Sequence, residues 1–218
     1  MRWMHTRLIR KDSRSIALLA VFSSMAIALE IVPWPGVLDI PVPGVPGFNI
    51  NWSGIPVVIV FFGLGFAYSL ISVGAMWAAI AYRNFTGAAF KGCAEFFTVL
   101  GLVVAKLATA KWKPGKKASL AIYTVSACLF RAVGMYFTNI QLLPIFYGMP
   151  IEVAAAASTL YVPWNIVQAI INVVLGGLLY FAIPERLAIE AGLGDQADRH
   201  TIQELPTDAV DEEAHGEQ

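Results

Sequence analysis

Tyr161–Val173 reads YVPWNIVQAIINV, an apolar stretch interrupted by three carboxamides, Asn165, Gln168 and Asn172. Their spacing of i, i+3 and i+7 gathers them on one face of a helix, as a polar seam along an apolar rod. The meaning of the seam depends on what surrounds the rod. Amides inside a membrane bundle either tie neighbouring helices together or line a cavity. The three residues alone leave both readings open.

The rest of the chain makes a membrane setting the first expectation. Of 218 residues, 57% are hydrophobic and 14% are charged, whereas soluble domains carry about a quarter charged residues. The apolar residues form long runs rather than alternating with polar ones, which is the pattern of membrane spans. The formal net charge of zero conceals an uneven distribution. Ten acidic and two basic residues lie from Glu185 onward, so residues 1–184 hold thirteen basic and five acidic ones. Cys93 and Cys128 sit in apolar runs without metal-ligand spacing, and His5, His200 and His215 lie in polar ends. No disulfide scaffold, zinc site or haem pattern can be assembled from them.

Six spans follow from the apolar runs and their Pro/Gly punctuation. The first covers 15–32. Before it, basic residues and an apolar run reaching Ala26-Ile27-Ala28 imitate a secretory leader, but the run continues to Val32 and is read as a retained span. Residues 34–54 form a long Pro/Gly-rich loop in which Trp34, Phe48 and Trp52 suit a membrane interface. The uncharged run 55–82 is too long for one upright helix, since 28 residues would reach about 42 Å against a hydrocarbon core of about 30 Å. It is read as two short or tilted spans, 52–63 and 65–82, joined tightly at Gly63 and Gly65; one steeply tilted helix is the alternative. Spans four and five cover 88–110 and 118–141, joined by the basic turn KWKPGKK. Residues 143–160 are expected to form an outer loop with AAAA at 154–157 as a short helix, and span six to cover 163–183.

The expected architecture is therefore an all-α integral membrane protein with three parts: a basic N-terminus at 1–14, a six-helix membrane domain at 15–184, and an acidic tail at 185–218, disordered after a helical start. Arg2, Arg7, Arg10, Lys11 and Arg14 precede span one, and Lys111, Lys113, Lys116 and Lys117 join spans four and five, with Lys106 just before them. The positive-inside rule then places both termini in the cytoplasm.

Few residues offer chemistry. PGKKAS at 114–119 lacks the spaced glycine of a phosphate loop, and there is no paired-carboxylate, nucleophile-elbow or His-Glu-x-x-His pattern. Nothing argues for an enzyme, and ATP-driven transport would require another subunit for hydrolysis. Glu30, Glu95 and Arg131 are the ionisable residues placed within the membrane, where such groups face the bundle interior or water. Glu95 and Arg131 are positioned to pair across spans four and five or to meet a ligand, and solvation near the outer end of span one accounts for Glu30. Ala20, Ser24 and Ala28 repeat at four-residue spacing, which lets another helix approach closely.

Two motifs carry a family resemblance: Asn51-Trp52-Ser53-Gly54-Ile55-Pro56 opening span two, and Pro163-Trp164-Asn165-Ile166-Val167-Gln168 opening span six. With six short spans and the long first outer loop, residues 15–184 resemble the S components of energy-coupling factor (ECF) transporters, most closely the riboflavin-type ones. Trp164 stands where those carry Phe, and Gln168 where several carry Lys. The resemblance implies a vitamin-binding subunit in the cytoplasmic membrane. Its implied partners are a transmembrane coupling subunit and two ATPases that hydrolyse ATP, with no cofactor or metal on this chain and no nucleic acid partner. By motif it points to Asn165 and Gln168 as substrate-binding residues, and by position to Trp164, Asn51, Asn84, Trp34 and Glu95. It assigns Ala20, Ser24 and Ala28 to the coupling-subunit contact. The alternatives are an S component for another vitamin or nucleobase-like compound, a self-sufficient carrier or channel, and a membrane enzyme acting on a lipid through Glu95 and Arg131.

Overall fold

A computed structural model describes residues 12–32, 37–110, 114–184, 187–188, 191 and 193. Among them are six helices and one small hairpin: α1 (Ser13–Ile31), β1 (Asp39–Pro41), β2 (Asn49–Asn51), α2 (Gly54–Leu64), α3 (Phe66–Ala81), α4 (Phe85–Thr109), α5 (Lys116–Tyr147) and α6 (Ile151–Ala182). Four of them, α1, α4, α5 and α6, are long and apolar enough to cross a membrane; α2 and α3 are shorter apolar helices. The chain has the make-up of a multi-pass membrane protein. The acidic tail beyond Leu193, the N-terminal basic run before Asp12 and the Lys111–Lys113 part of the basic turn lie outside the described residues.

The helix ends follow local chemistry. α1 starts two residues earlier than the apolar run, because Asp12 caps it: its Oδ2 accepts from the Ser15 N–H at 3.1 Å and from Ser15 Oγ at 3.0 Å. Asn84 does the same for α4, its Oδ1 accepting from the Gly87 N–H at 2.9 Å. The run 55–82 breaks into two helices, with Gly65 at φ 97°, ψ −177° between them. That conformation belongs almost exclusively to glycine.

The expected loop at 143–160 is corrected. α5 continues through Pro144 to Tyr147, ends on the left-handed Gly148, and α6 begins three residues later at Ile151. Pro163 was read as the start of span six and Pro144 fell in the expected loop, yet both lie inside helices. Packing of neighbouring helices sustains a proline-containing span, and the alanine run 154–157, which favours helix strongly, extends α6 upstream of Pro163. Each of these helices has 32 residues, reaching about 48 Å and so exceeding the ~30 Å hydrocarbon core.

α2 is buried on all sides. Val57, Val58, Val60 and Phe61 are at most 2% exposed; Val57, Val58 and Phe61 pack in one cluster with Ala26, Val73, Met76, Val99, Leu102, Ala127 and Val173 from the surrounding helices, and Val60 packs in another with Leu64 and Tyr68. An 11-residue helix is about 16 Å long, half a bilayer core. β2 precedes it and brings the chain from the hairpin to the buried Asn51 before α2 begins. Gly54 allows this meeting: a Cβ there would collide with the Asn172 side chain and approach Glu95 Oε2 within 2.8 Å. At the other end Leu64 and Tyr68 pack with Leu193.

Candidate substrate-binding cavity

Above the start of α2 lies a cavity of about 650 Å³, within the ~300–1,000 Å³ range of small-molecule sites. Its floor is a polar network. Glu95 on α4 is fully buried, and Arg131 on α5 is 3% exposed. Arg131 Nη1 donates to Glu95 Oε1 and to Thr98 Oγ1, both at 2.9 Å. Its Nε donates to Asn165 Oδ1 at 3.3 Å. Asn172 Nδ2 lies 3.3 Å from both Glu95 oxygens. A buried ion pair is tolerable only with such additional hydrogen bonds, because each unpaired charge would cost several kilocalories.

The amide seam of α6 divides by depth. Asn172 serves Glu95. Gln168 reads the backbone of β2 like a neighbouring strand: its Oε1 accepts from the Asn51 N–H at 3.0 Å, and its Nε2 donates to the Asn51 carbonyl at 2.7 Å and to Asn172 Oδ1 at 2.8 Å. Asn165 reaches the cavity surface. The question posed by the sequence thus has a split answer. Two of the amides fasten the hairpin and the ion pair, and one faces the open space.

A second chain of charges runs up the wall. Lys91, one helical turn before Glu95, lies 3.5 Å from Glu95 Oε1 and 3.5 Å from Glu30 Oε2, and donates to Asn51 Oδ1. Glu30 Oε2 also accepts from Ser53 Oγ at 2.6 Å. Solvation therefore does not explain Glu30. It is bound into the network and lines the cavity. The N-terminal end of α2 beside these carboxylates adds favourable dipole charge.

The hairpin forms the roof. β1 and β2 pair antiparallel with Asp39 opposite Asn51. Pro46, Gly47 and Phe48 from its tip line the cavity, and the tip is fastened to α6 by Tyr161, whose hydroxyl donates to the Pro46 carbonyl at 2.7 Å while its ring stacks on Phe48 with centroids 6.0 Å apart. Trp52 Nε1 donates to the Val37 carbonyl at 2.7 Å, closing the base of the loop. Phe90, Tyr147, Met135 and Leu143 make the walls aromatic and apolar. Asp39, at the start of β1, has its carboxyl raised above its ordinary range by partial burial and then by Glu30, with Lys91 opposing.

Of the residues singled out in the sequence, Asn165, Asn51 and Asn84 line the cavity. Gln168 and Glu95 lie beneath it, bound to its floor. Trp164 is half-buried on α6 and is not among the lining residues, so it is no wall of this cavity. Trp34 lies outside the described residues. Ala20, Ser24 and Ala28 are all exposed along one side of α1. Sequence reasoning missed Lys91 and Asn139 as cavity residues. Both were marked by helical spacing, Lys91 at i−4 from Glu95 and Asn139 at i+8 from Arg131.

No family model matches the chain, and no curated protein matches it. Solved structures do. One is the S component of a bacterial ECF transporter, with a TM-score of 0.59 and 19% identity, covering 81% of this chain and 96% of that one. Another is an S component for biotin from an ECF-type ABC transporter, with a TM-score of 0.53 and 18% identity, covering 80% of this chain and 95% of that one. The chain has the S-component fold.

Proposed function

We propose that this protein is the substrate-capturing subunit of an ECF-type importer, with riboflavin the leading substrate. The observation that carries the reading is the roofed cavity itself, a space for one small molecule closed by a short hairpin within an S-component fold. Aromatic walls suit a flat ring system, and the polar floor suits carbonyl and hydroxyl groups. The floor's charges balance within their own network, which favours a ligand bound by hydrogen bonds over one bound by net charge. Riboflavin is of that kind and follows the motif resemblance around Asn165 and Gln168. Biotin, the cargo of one similar structure, is the competing substrate.

In this reading the chain performs no catalysis. The substrate enters at the hairpin end, facing outside, and both termini face the cytoplasm, with six membrane-embedded helices between them. A transmembrane coupling subunit docks on the exposed Ala20, Ser24 and Ala28 face, and two ATPases supply the energy from ATP. Cells lacking their own riboflavin uptake and expressing this chain with an ECF coupling module are expected to accumulate riboflavin, and cells with this chain alone are not. Uptake by the chain alone in vesicles would make it a self-sufficient carrier and overturn the subunit role.

A further inference from the structure

Five carboxamides are buried within the described residues: Asn51, Asn139, Asn165, Gln168 and Asn172. Four are engaged in the hydrogen bonds described above. Asn139 is the exception. It is 4% exposed and lines the cavity, and neither end of its carboxamide has a partner among the described residues. It sits on α5 between Met135 and Leu143, each one turn away and each lining the same cavity. The carboxamide opens onto the cavity: its nitrogen and oxygen are not among the sealed, unpartnered polar atoms of the described residues, which are Ser23 Oγ and Ser72 Oγ. The placement makes sense when something else completes its hydrogen bonds.

We propose that Asn139 is a specificity-determining residue of the cavity, and that it reads a planar ring edge on which an N–H donor adjoins a carbonyl acceptor, as in a cyclic imide, lactam or ureide. A carboxamide presents one donor and one acceptor side by side in a plane, and the partner that satisfies both is the same pair reversed. A lone hydroxyl or carbonyl would leave one end unpaired. Two further donors, Asn51 Nδ2 and Arg131 Nη2, belong to lining residues and carry no bond within the described residues. They are placed to meet other carbonyl oxygens of such a ring. The rings of Phe48, Phe90, Tyr147 and Tyr161 offer it flat walls. This inference rests on the substrate-capturing reading and adds to it the chemistry by which the substrate is chosen.

The test uses the full chain purified in mild detergent, with riboflavin (a cyclic imide), riboflavin methylated on its imide nitrogen, and biotin (a ureide) as probes. Calorimetric titration gives the affinity, and thermal unfolding is followed with and without each probe. The wild type is expected to bind riboflavin or biotin, the two arms separating imide from ureide. Asn139→Leu is expected to weaken that binding at least about tenfold while leaving the unfolding temperature of the ligand-free protein no lower. If riboflavin is the ligand, methylating the imide nitrogen is expected to weaken binding to the wild type and to have little further effect on the variant. Asn139→Asp, which keeps the shape but exchanges the donor for an acceptor, is expected to fold and to lose binding in the same way. Leu and Asp variants that bind the probe as tightly as the wild type would overturn this inference and leave the transport reading intact. A wild type that binds neither riboflavin nor biotin would overturn the ligand class and the vitamin reading together.

Discussion

The floor and the roof of the cavity are built on opposite terms. The floor joins Glu95, Arg131, Gln168 and Asn172 from three helices, α4, α5 and α6, and every one of these side chains is buried and hydrogen-bonded within the bundle. The roof is two three-residue strands, held at the tip by the hydroxyl and ring of Tyr161. An isolated two-stranded hairpin is marginally stable at best. The difference is one of anchorage: the floor is tied to three helices, and the roof is held by a few bonds at its tip and base. Gln168 links the two, since it belongs to the floor but holds the backbone of β2.

The sharpest way to break this contrast is to unbalance the floor. Arg131→Ala leaves Glu95 buried beside Lys91 alone, and is expected to destabilise the protein by about 3–5 kcal/mol. Thermal unfolding in detergent would read the loss. The double variant Glu95→Gln, Arg131→Met is expected to recover much of it, because no uncompensated charge remains. Equal losses in the single and double variants would mean that the pair is not what holds the floor.

A smaller effect is expected from the link. Gln168→Ala removes both side-chain bonds to Asn51 and is expected to cost about 1–3 kcal/mol, with the hairpin more open to protease while the helices keep their resistance. Uniform loss of protection along the chain would place Gln168 in the global core instead. At the roof, Tyr161→Phe keeps the stacked ring and deletes the bond to Pro46. That change is worth about 0.5–1.5 kcal/mol and is expected to appear as several-fold faster ligand release with unfolding temperature nearly unchanged.

The smallest expected effect is a pH dependence of the roof. The folded Asp39 carboxyl lies above its ordinary value, so the folded state holds that proton more tightly than the unfolded chain does. Its contribution to stability is complete below the ordinary carboxylate range and is lost as the pH rises through the raised value. Hairpin protection is therefore expected to fall slightly over that interval in the wild type and to stay level in Asp39→Asn. A rise with pH would contradict the sign.

Much of this floor was legible in the sequence, and most of the roof was not. The apolar runs located all six helices, and the glycines at 63 and 65 marked the break between α2 and α3. Glu95 and Arg131 announced themselves because charges in apolar runs need partners. Prolines misled: Pro163 was taken for a helix start and Pro144 fell in a supposed loop, whereas tertiary packing carries both α5 and α6 through them. Three-residue strands such as 39–41 and 49–51 are too short to show a period. Trp164 and Asn139 show a further limit. A sequence places residues on helix faces, but which face meets a cavity depends on how the neighbouring helices close around it.

On the proposed function, the hairpin closes over one captured vitamin-like molecule. The most direct measurement is to purify the chain in mild detergent from cells grown in rich medium, denature it, and identify by absorption and mass spectrometry what is released. The expected result is a stoichiometric small molecule with a flat ring and adjoining N–H and carbonyl groups, riboflavin first among them, released only when the protein unfolds. A purified protein that releases nothing and binds neither riboflavin nor biotin when they are added would contradict it.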